Sequence, residues 1–455
     1  MEDTMIPEQF SALDEAITRI RNGRLSRRSF LERTLAIGLS SGAAVSLLEA
    51  CGGNSNSSGG NGAATNLIWI SEQDQSGTYQ MLVDTFNKTI GQQKGLHVTY
   101  QSGPAKTDDL LTQYTNMLRA RNASVDVLSI DIIYPAQFAA SQWTVAISDT
   151  QWPAAERAKF LPGPIKGCTY QNQLWAAPLR TDLGLLYYRK DLLPNPPKTW
   201  DELNSLATAT APSKIKYGYV WQGAQYEGLV CDFVEVLYGY NGTILDPNDP
   251  SKVTINSPEA RQALTRMVSW VGTISPEAVT TYQEDPARQV WQNGNAALMR
   301  NWPYAYALSS DPKQSQIVGK FDISAMPYGG SGTVGHSAIG GWNLAINAFS
   351  KKADACWEFI HYMLQDDAQK QLAIKGTFTP TLQSIYTDND VLAKQPLFGK
   401  LGPILKNGLP RPVSPKYSDI SDILQRYIHQ ALKKQISVDT ALSSLETELK
   451  KALAS

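Results

Sequence analysis

Cysteine and histidine are scarce in this chain of 455 residues, with four of each. No Cys-x-x-Cys occurs, and His97, His336, His361 and His429 are scattered. That spacing offers neither a structural zinc site nor a histidine-based metal centre, and no cofactor is expected. Charge of one sign is also lacking: 41 Lys and Arg stand against 42 Asp and Glu, a formal net charge of -1. A surface that tracks phosphates needs positive excess, so nucleic acid is not an expected partner. The body has no Gly-x-Ser-x-Gly elbow and the chain has no Walker sequence, which removes the serine-hydrolase and nucleotide-hydrolysing signatures. The glycine-rich run from Gly329 to Gly335 lacks the spacing and the lysine of a phosphate loop, and reads as a crossover or loop. Internal repeats are missing too. What remains is globular composition, 42% hydrophobic and 18% charged, in a length that holds about two to four domains.

Residues 1–50 read as an export signal. Arg24, Arg27, Arg28 and Arg33 lead into an apolar run from Thr34 to Leu48, about 15 residues. A membrane-spanning helix needs roughly 20. Arg27-Arg28 beside Phe30-Leu31 resembles a twin-arginine signal, with Glu32 where that signal carries lysine; general secretion is the other route. Leu48-Glu49-Ala50-Cys51 resembles a bacterial lipobox, with Glu49 atypical at its middle position. After cleavage Cys51 would begin the mature chain and carry lipid, and two or more acyl chains anchor a soluble body stably. The following Gly, Ser and Asn tract cannot form a core and reads as a flexible tether, so 51–66 is lipidated cysteine plus tether. The rival reading is a buried helix with an incidental cysteine. Cys168, Cys231 and Cys356 remain. An exported compartment permits a Cys168–Cys231 disulfide, and free thiols are the other state. Cys356 lies on an apolar helical stripe and is expected buried and free.

From residue 67 the periodicity alternates. Leu67–Ile70, His97–Tyr100 and Val125–Ile130 read as strands. Helical stripes of Tyr79, Leu82, Val83, Phe86 and Ile90, and of Leu110, Leu111, Tyr114, Met117 and Leu118, fall between them. This rhythm argues an α/β fold with a mostly parallel sheet covered on both faces. Ligands of such sheets sit beyond the C-terminal strand ends, where Asp131 falls. Further strands are expected at Tyr217–Val220, Ala296–Met299 and Gly340–Ile346. Helices are expected at Glu227–Tyr238, after the Ser257-Pro258 cap, at Ala353–Leu364, and as a pair over 420–449 broken near Ser437.

The runs Asp182–Leu193, Val220–Gly228, Met299–Tyr304 and Gly340–Ile346, in that order and spacing, resemble the solute-binding proteins of sugar ABC importers. The likeness covers nearly all of 67–450 and is closest to the branch that binds trehalose, maltose and related α-glucosides. It implies a two-lobed Venus flytrap of type II with discontinuous lobes. By that likeness lobe one holds 67–178 and 332–377, and lobe two holds 179–331 and 378–455. It also implies capture without catalysis: a monomer closes on a disaccharide or oligosaccharide and docks on permease subunits. The lipid anchor would hold it on the bilayer, in the periplasm or on the outer face of the cell membrane.

A pyranose offers C–H faces to aromatic platforms and a rim of hydroxyls to carboxylates, amides and arginine. Trp302 and Trp342 each follow an expected strand end among polar or glycine residues, unlike Trp357 in its apolar stripe. Both are expected in the cleft, with Tyr304 either beside the sugar or supporting Trp302. Asp131 reads as a hydroxyl acceptor against the bland reading of a turn or cap. Asp182 holds a matching place in lobe two. Glu72 stands where the family often has a polar sugar contact, with Gln73 as substitute. Arg411 would either bond a hydroxyl pair or clamp a cleft carboxylate. Trp221 and Tyr226 belong to the pocket or to the lobe core. Two other classes compete. A secreted glycoside hydrolase needs two carboxyls about 5–5.5 Å or 6.5–9.5 Å apart, and Asp131 and Asp182 lack a hydrolase signature. A purely structural surface lipoprotein would have no deep polar cleft.

Overall fold

Two sheets organise residues 64–454, which a computed structural model describes save positions 75, 105, 106 and 248. The expected signal, Cys51 and the tether up to residue 63 lie outside the described residues. Among the described residues no helix is long and apolar enough to cross a membrane. The strands in chain order are β1 (Thr65–Ser71), β2 (Leu96–Ser102), β3 (Val127–Asp131), β4 (Thr169–Tyr170), β5 (Gln173–Leu174), β6 (Ala177–Leu183), β7 (Leu185–Arg189), β8 (Tyr217–Val220), β9 (Ala296–Asn301), β10 (Phe321–Ser324), β11 (Ser337–Ile346), β12 (Thr379–Pro380) and β13 (Gly408–Leu409). The larger sheet runs β12-β6-β11-β3-β1-β2, with β13 beside β11, and the smaller runs β10-β7-β9-β8.

β1 is parallel to β2 and β3, as the alternating rhythm predicts, and β11 returns antiparallel between β3 and β6. Every residue of β3 and β11 is buried. Strands covered on both faces carry continuous rather than alternating apolar runs, which is how these two read. The helix Thr78–Phe86 buries Tyr79, Leu82, Val83 and Phe86, and Thr107–Arg119 buries Leu110, Tyr114 and Leu118. The core of the other lobe gathers around Glu227–Gly239, a helix buried at every position. Pro258–Trp270 packs on it, with Ser257 Oγ accepting from the Ala260 amide at 3.1 Å as its cap. Tyr417–Leu432 and Val438–Ala454 complete this lobe, broken where Ser437 Oγ accepts from the Thr440 amide.

The strand pairings shift two expected lobe boundaries. β6 stays in the larger sheet as far as Leu183, opposite Ile339, rather than leaving it at 178. β12 pairs with β6, and Leu382 bridges Phe160, so 378–409 sits with the larger sheet and not in lobe two. A two-residue strand carries no periodicity, which is why its pattern was silent. The chain therefore crosses between the sheets at Gly184, over 325–336, and over 410–416.

One other expectation changes, and one open alternative closes. Trp342 lies inside β11 instead of after a strand end. The register against β6 slips between Trp342 and Asn343, and Gly341 just before holds φ +134°. Such a bulge re-aims a side chain within a continuous strand. The Cys168–Cys231 disulfide does not form: all three described cysteines are free and buried, and these two belong to different cores.

A Cβ on Gly341 would run into the Arg180 carbonyl oxygen and demand an L-residue at positive φ. Gly341→Ala should therefore cost about 1–3 kcal/mol of stability, read from the urea midpoint. A change below roughly 0.5 kcal/mol, the size of an ordinary surface substitution, would mean that the bulge relaxes freely.

Candidate binding cleft

Charge at the ends of the larger sheet is organised by arginine. Arg180 and Asp182 are two apart on β6, so they share a face. Arg180 Nη1 donates to Asp182, while its Nη2 and Nε lie 3.0 and 3.1 Å from Glu72 Oε1. Glu72 follows β1 directly. The Tyr79 hydroxyl donates to Glu72 Oε1 at 2.7 Å, and the Ser71 hydroxyl to the other oxygen. Phe378 stacks on Tyr79 with centroids 5.1 Å apart and meets the Arg180 guanidinium at 4.8 Å. Burial pushes the Asp182 carboxyl above the usual range, against the pull of the Arg180 charge.

Arg411 forms the second set. It stands between Asp131, the last residue of β3, and Glu227, the first residue of a lobe-two helix. Its Nη2 is 3.5 Å from Asp131 Oδ1 and donates to the Ile339 carbonyl at 3.3 Å, and its Nη1 donates to Glu227 Oε1. Glu227 also accepts from the hydroxyls of Tyr417 and Ser421. Asp131 accepts from Thr107 Oγ1 at 3.1 Å and from the Ile133 amide at 3.3 Å. Of the two roles open to Arg411, this geometry is the carboxylate clamp. Its Nε has no hydrogen-bond partner, and Arg411 lines a small cavity with Ile132, Ile133 and Gly167. Burial pushes Asp131 up to about 6; Arg411 opposes the rise and Glu227 adds to it.

The tryptophans sit between and above these sets. Trp342 pairs opposite Asp131 on β3 and Arg180 on β6. It is buried, 8% exposed. Trp302 follows β9 and is half-buried. Its six-membered ring comes so near the bare Gly340 that a Cβ there would be 3.3 Å from Cζ3, and the same point is 3.3 Å from Asp182 Cβ. The Arg300 guanidinium lies 4.0 Å from the Trp302 centroid, and Trp302 Nε1 donates to Glu284 Oε1 at 3.3 Å. Tyr304 donates to Asp285 Oδ1 at 3.2 Å and faces the Arg288 guanidinium at 6.0 Å. Trp221 belongs to the lobe core: its Nε1 donates to Ser275 Oγ and its ring meets Trp270 edge-on. Gln73 is exposed and Tyr226 half-buried.

Glu72, Asp131, Asp182, Trp302, Trp342 and Arg411 thus gather around β6 and β11, and Tyr304 bonds Asp285. Sequence reasoning missed Arg180, Tyr79, Phe378, Glu227 as Arg411's partner, and Arg300. A charged residue inside an apolar strand was the available signal for Arg180 and Arg300; Phe378 gave none. Among the described residues no group of three or more His, Cys, Asp or Glu could hold a metal ion. The chemistry on offer is hydroxyl recognition by arginine-held carboxyls beneath a partly open indole.

Residues 69–370 match the family described as bacterial extracellular solute-binding protein. A probable ABC transporter-binding protein of Deinococcus radiodurans is 38% identical over 360 residues, 76% of this chain and 84% of that relative. Maltose-bound T. maritima MalE3 superposes with a TM-score of 0.77 at 36% identity, covering 85% of this chain and 100% of that one. A solute-binding protein of Agrobacterium radiobacter, in complex with ribitol, gives a TM-score of 0.74 at 27% identity, covering 85% of this chain and 98% of that one.

The raised Asp131 has a testable sign. Between pH 3.8 and about 6 the native state keeps a proton that the unfolded chain has lost. This group's contribution to stability is therefore greatest below that window and falls as pH rises through it, by about 2–3 kcal/mol. Asp131→Asn should shrink the fall, measured as denaturation free energy from pH 4 to 7. Parallel curves for the two proteins would remove Asp131 as the source.

Proposed function

This chain belongs to the bacterial extracellular solute-binding proteins, and from that premise we propose that it captures an α-glucoside disaccharide or oligosaccharide of the trehalose or maltose type for delivery to an ABC importer. Its fold is the two-lobed α/β architecture of MalE-type binding proteins. The observation that carries the ligand reading is Trp302, an indole left partly open above the Glu72–Arg180–Asp182 set. An aromatic face beside fixed carboxyls suits a sugar, which is apolar on its faces and hydroxylated on its rim. Glu72, Asp131, Asp182 and Trp342 would meet hydroxyls and ring edges. Arg180 and Arg411 would orient the acids, and Tyr304 would back Trp302. The maltose in the MalE3 structure supports the sugar class, and the Deinococcus relative's name supports a transporter partner.

The same geometry weighs against a glycoside hydrolase. There one carboxyl must deliver a proton and another must attack or activate water. Here Asp131 and Asp182 are each engaged by an arginine, which suits holding more than reacting. We therefore read the protein as a non-enzymatic monomer that needs no cofactor. Export by residues 1–50 and lipid on Cys51 would place it outside the cytoplasmic membrane, tethered to the bilayer and within reach of permease subunits.

Calorimetric titration with trehalose, maltose, sucrose, glucose and maltotriose should show one-to-one binding of at least one disaccharide, recovered intact. Trp302→Ala should weaken it about 30-fold or more, the loss expected for a central aromatic anchor. No heat with any of the five sugars would sink the α-glucoside assignment, and cleaved sugar would restore the hydrolase. Separately, Cys51→Ala should move the protein from the membrane fraction to the soluble fraction; continued membrane retention would refute the lipid anchor.

A further inference from the structure

A buried ion pair connects the open indole to the chain crossings. Arg300, on β9, has no exposed side-chain surface. One face of its guanidinium lies against Trp302 at 4.0 Å. Its Nε donates to Glu235 Oε2 at 2.8 Å and its Nη2 to Glu235 Oε1 at 2.6 Å. This is a two-pronged, charge-assisted pair, the arrangement that fixes direction as well as distance. Nη1 donates to Gln222 Oε1 at 3.2 Å, with Asp232 Oδ2 3.7 Å away.

Glu235 is fully buried as well, and its Oε1 accepts one more bond, from the Ala338 amide at 3.1 Å. Ala338 lies at the start of β11, where the chain re-enters the larger sheet. Its carbonyl accepts from the Gly184 amide at 3.3 Å, and the Ser337 hydroxyl donates to the Gly184 carbonyl at 2.7 Å. Gly184 is another crossing, and a Cβ there would run into the Glu235 carboxylate. One carboxylate of lobe two thus meets the Gly184 crossing and the start of β11, where the 325–336 crossing ends. Losing a partner would leave it as an uncompensated buried charge, so Arg300, Glu235 and the Ala338 amide are constrained to move together.

We propose that Arg300 and Glu235 couple Trp302 to the hinge, so that a ligand pressed on the open face of the indole steadies the Gly184 and Ala338 crossings. The proposal rests on Trp302 being the ligand platform. Arg300 and Glu235 are positioning residues, since neither reaches the cleft. Closure of lobes about a few crossing residues is the motion such a device would bias.

The test is amide hydrogen exchange at Ala338 and Gly184. In ligand-free protein, Trp302→Leu keeps apolar bulk but removes the indole from the guanidinium. Exchange at Ala338 should rise at least tenfold in Trp302→Leu and in Glu235→Gln, with the double variant no faster than Glu235→Gln alone. Amides of β1 should keep wild-type rates, and so should Ala338 in Tyr362→Phe, a tyrosine packed on Phe86 away from the relay. Wild-type exchange at Ala338 in Trp302→Leu, or effects that add in the double variant, would overturn the coupling. If Glu235→Gln does not fold, Trp302→Leu decides alone. With maltose added, the wild type should show slower exchange at Ala338, and Glu235→Gln should bind maltose without that slowing. Failure of the wild type to bind sugar would count against the cleft's function, while the ligand-free comparison still decides the relay.

Discussion

A carboxylate taken out of water must find a counter-charge or keep its proton, and this constraint shapes the space between the two sheets. Each arginine there faces two acids: Arg180 faces Glu72 and Asp182, Arg411 faces Asp131 and Glu227, and Arg300 faces Glu235 and Asp232. One guanidinium cannot neutralise two carboxylates. In each set burial raises one partner toward its protonated form: Asp182, Asp131 and Asp232. Each set places guanidinium donors beside carboxyl acceptors, so together they answer hydroxyl groups, which both donate and accept.

Backbone shape lets those sets approach one another. β11 runs between the Asp131 strand and the Arg180 strand, and Trp342 is the residue on it that pairs with both. Gly340 leaves room for Trp302 against Asp182, and Gly341 permits the bulge that re-aims Trp342. Gly184 leaves room for the Glu235 carboxylate at the turn between sheets. Three missing side chains thus admit an indole, a bulge and a carboxylate at the junction of the lobes.

Much of the frame was legible in the sequence, because buried strands and amphipathic helices announce themselves by period. β1, β3, the helix stripes, the Ser257 cap and the break at Ser437 all follow from local pattern. β12 did not, because two residues have no period and its place depends on a partner two hundred positions away. Asp131, Asp182 and Trp302 could be singled out because polar or aromatic residues at strand ends stand apart from a core. Their partners could not. Whether Arg411 meets a hydroxyl or Glu227, and whether Trp342 ends a strand or bulges within one, are questions of register and long-range pairing. Arg180 and Arg300 were visible only as charges inside apolar strands, a signal that marks a buried ion pair without naming the acid.

The difference between holding a sugar and cleaving it lies in the freedom left to the acids. A hydrolytic carboxyl must change its protonation or bonding during the reaction, so its neighbours must tolerate both states. The acids here are fastened in place: Glu72 meets Arg180, Tyr79 and Ser71, and Glu227 meets Arg411, Tyr417 and Ser421. Fastening lowers the entropic cost of ordering side chains when a ligand arrives. In the proposed carrier the moving part would be the hinge rather than the acids, and Glu235 is a buried carboxylate that touches both Arg300 and the Ala338 amide beside a crossing.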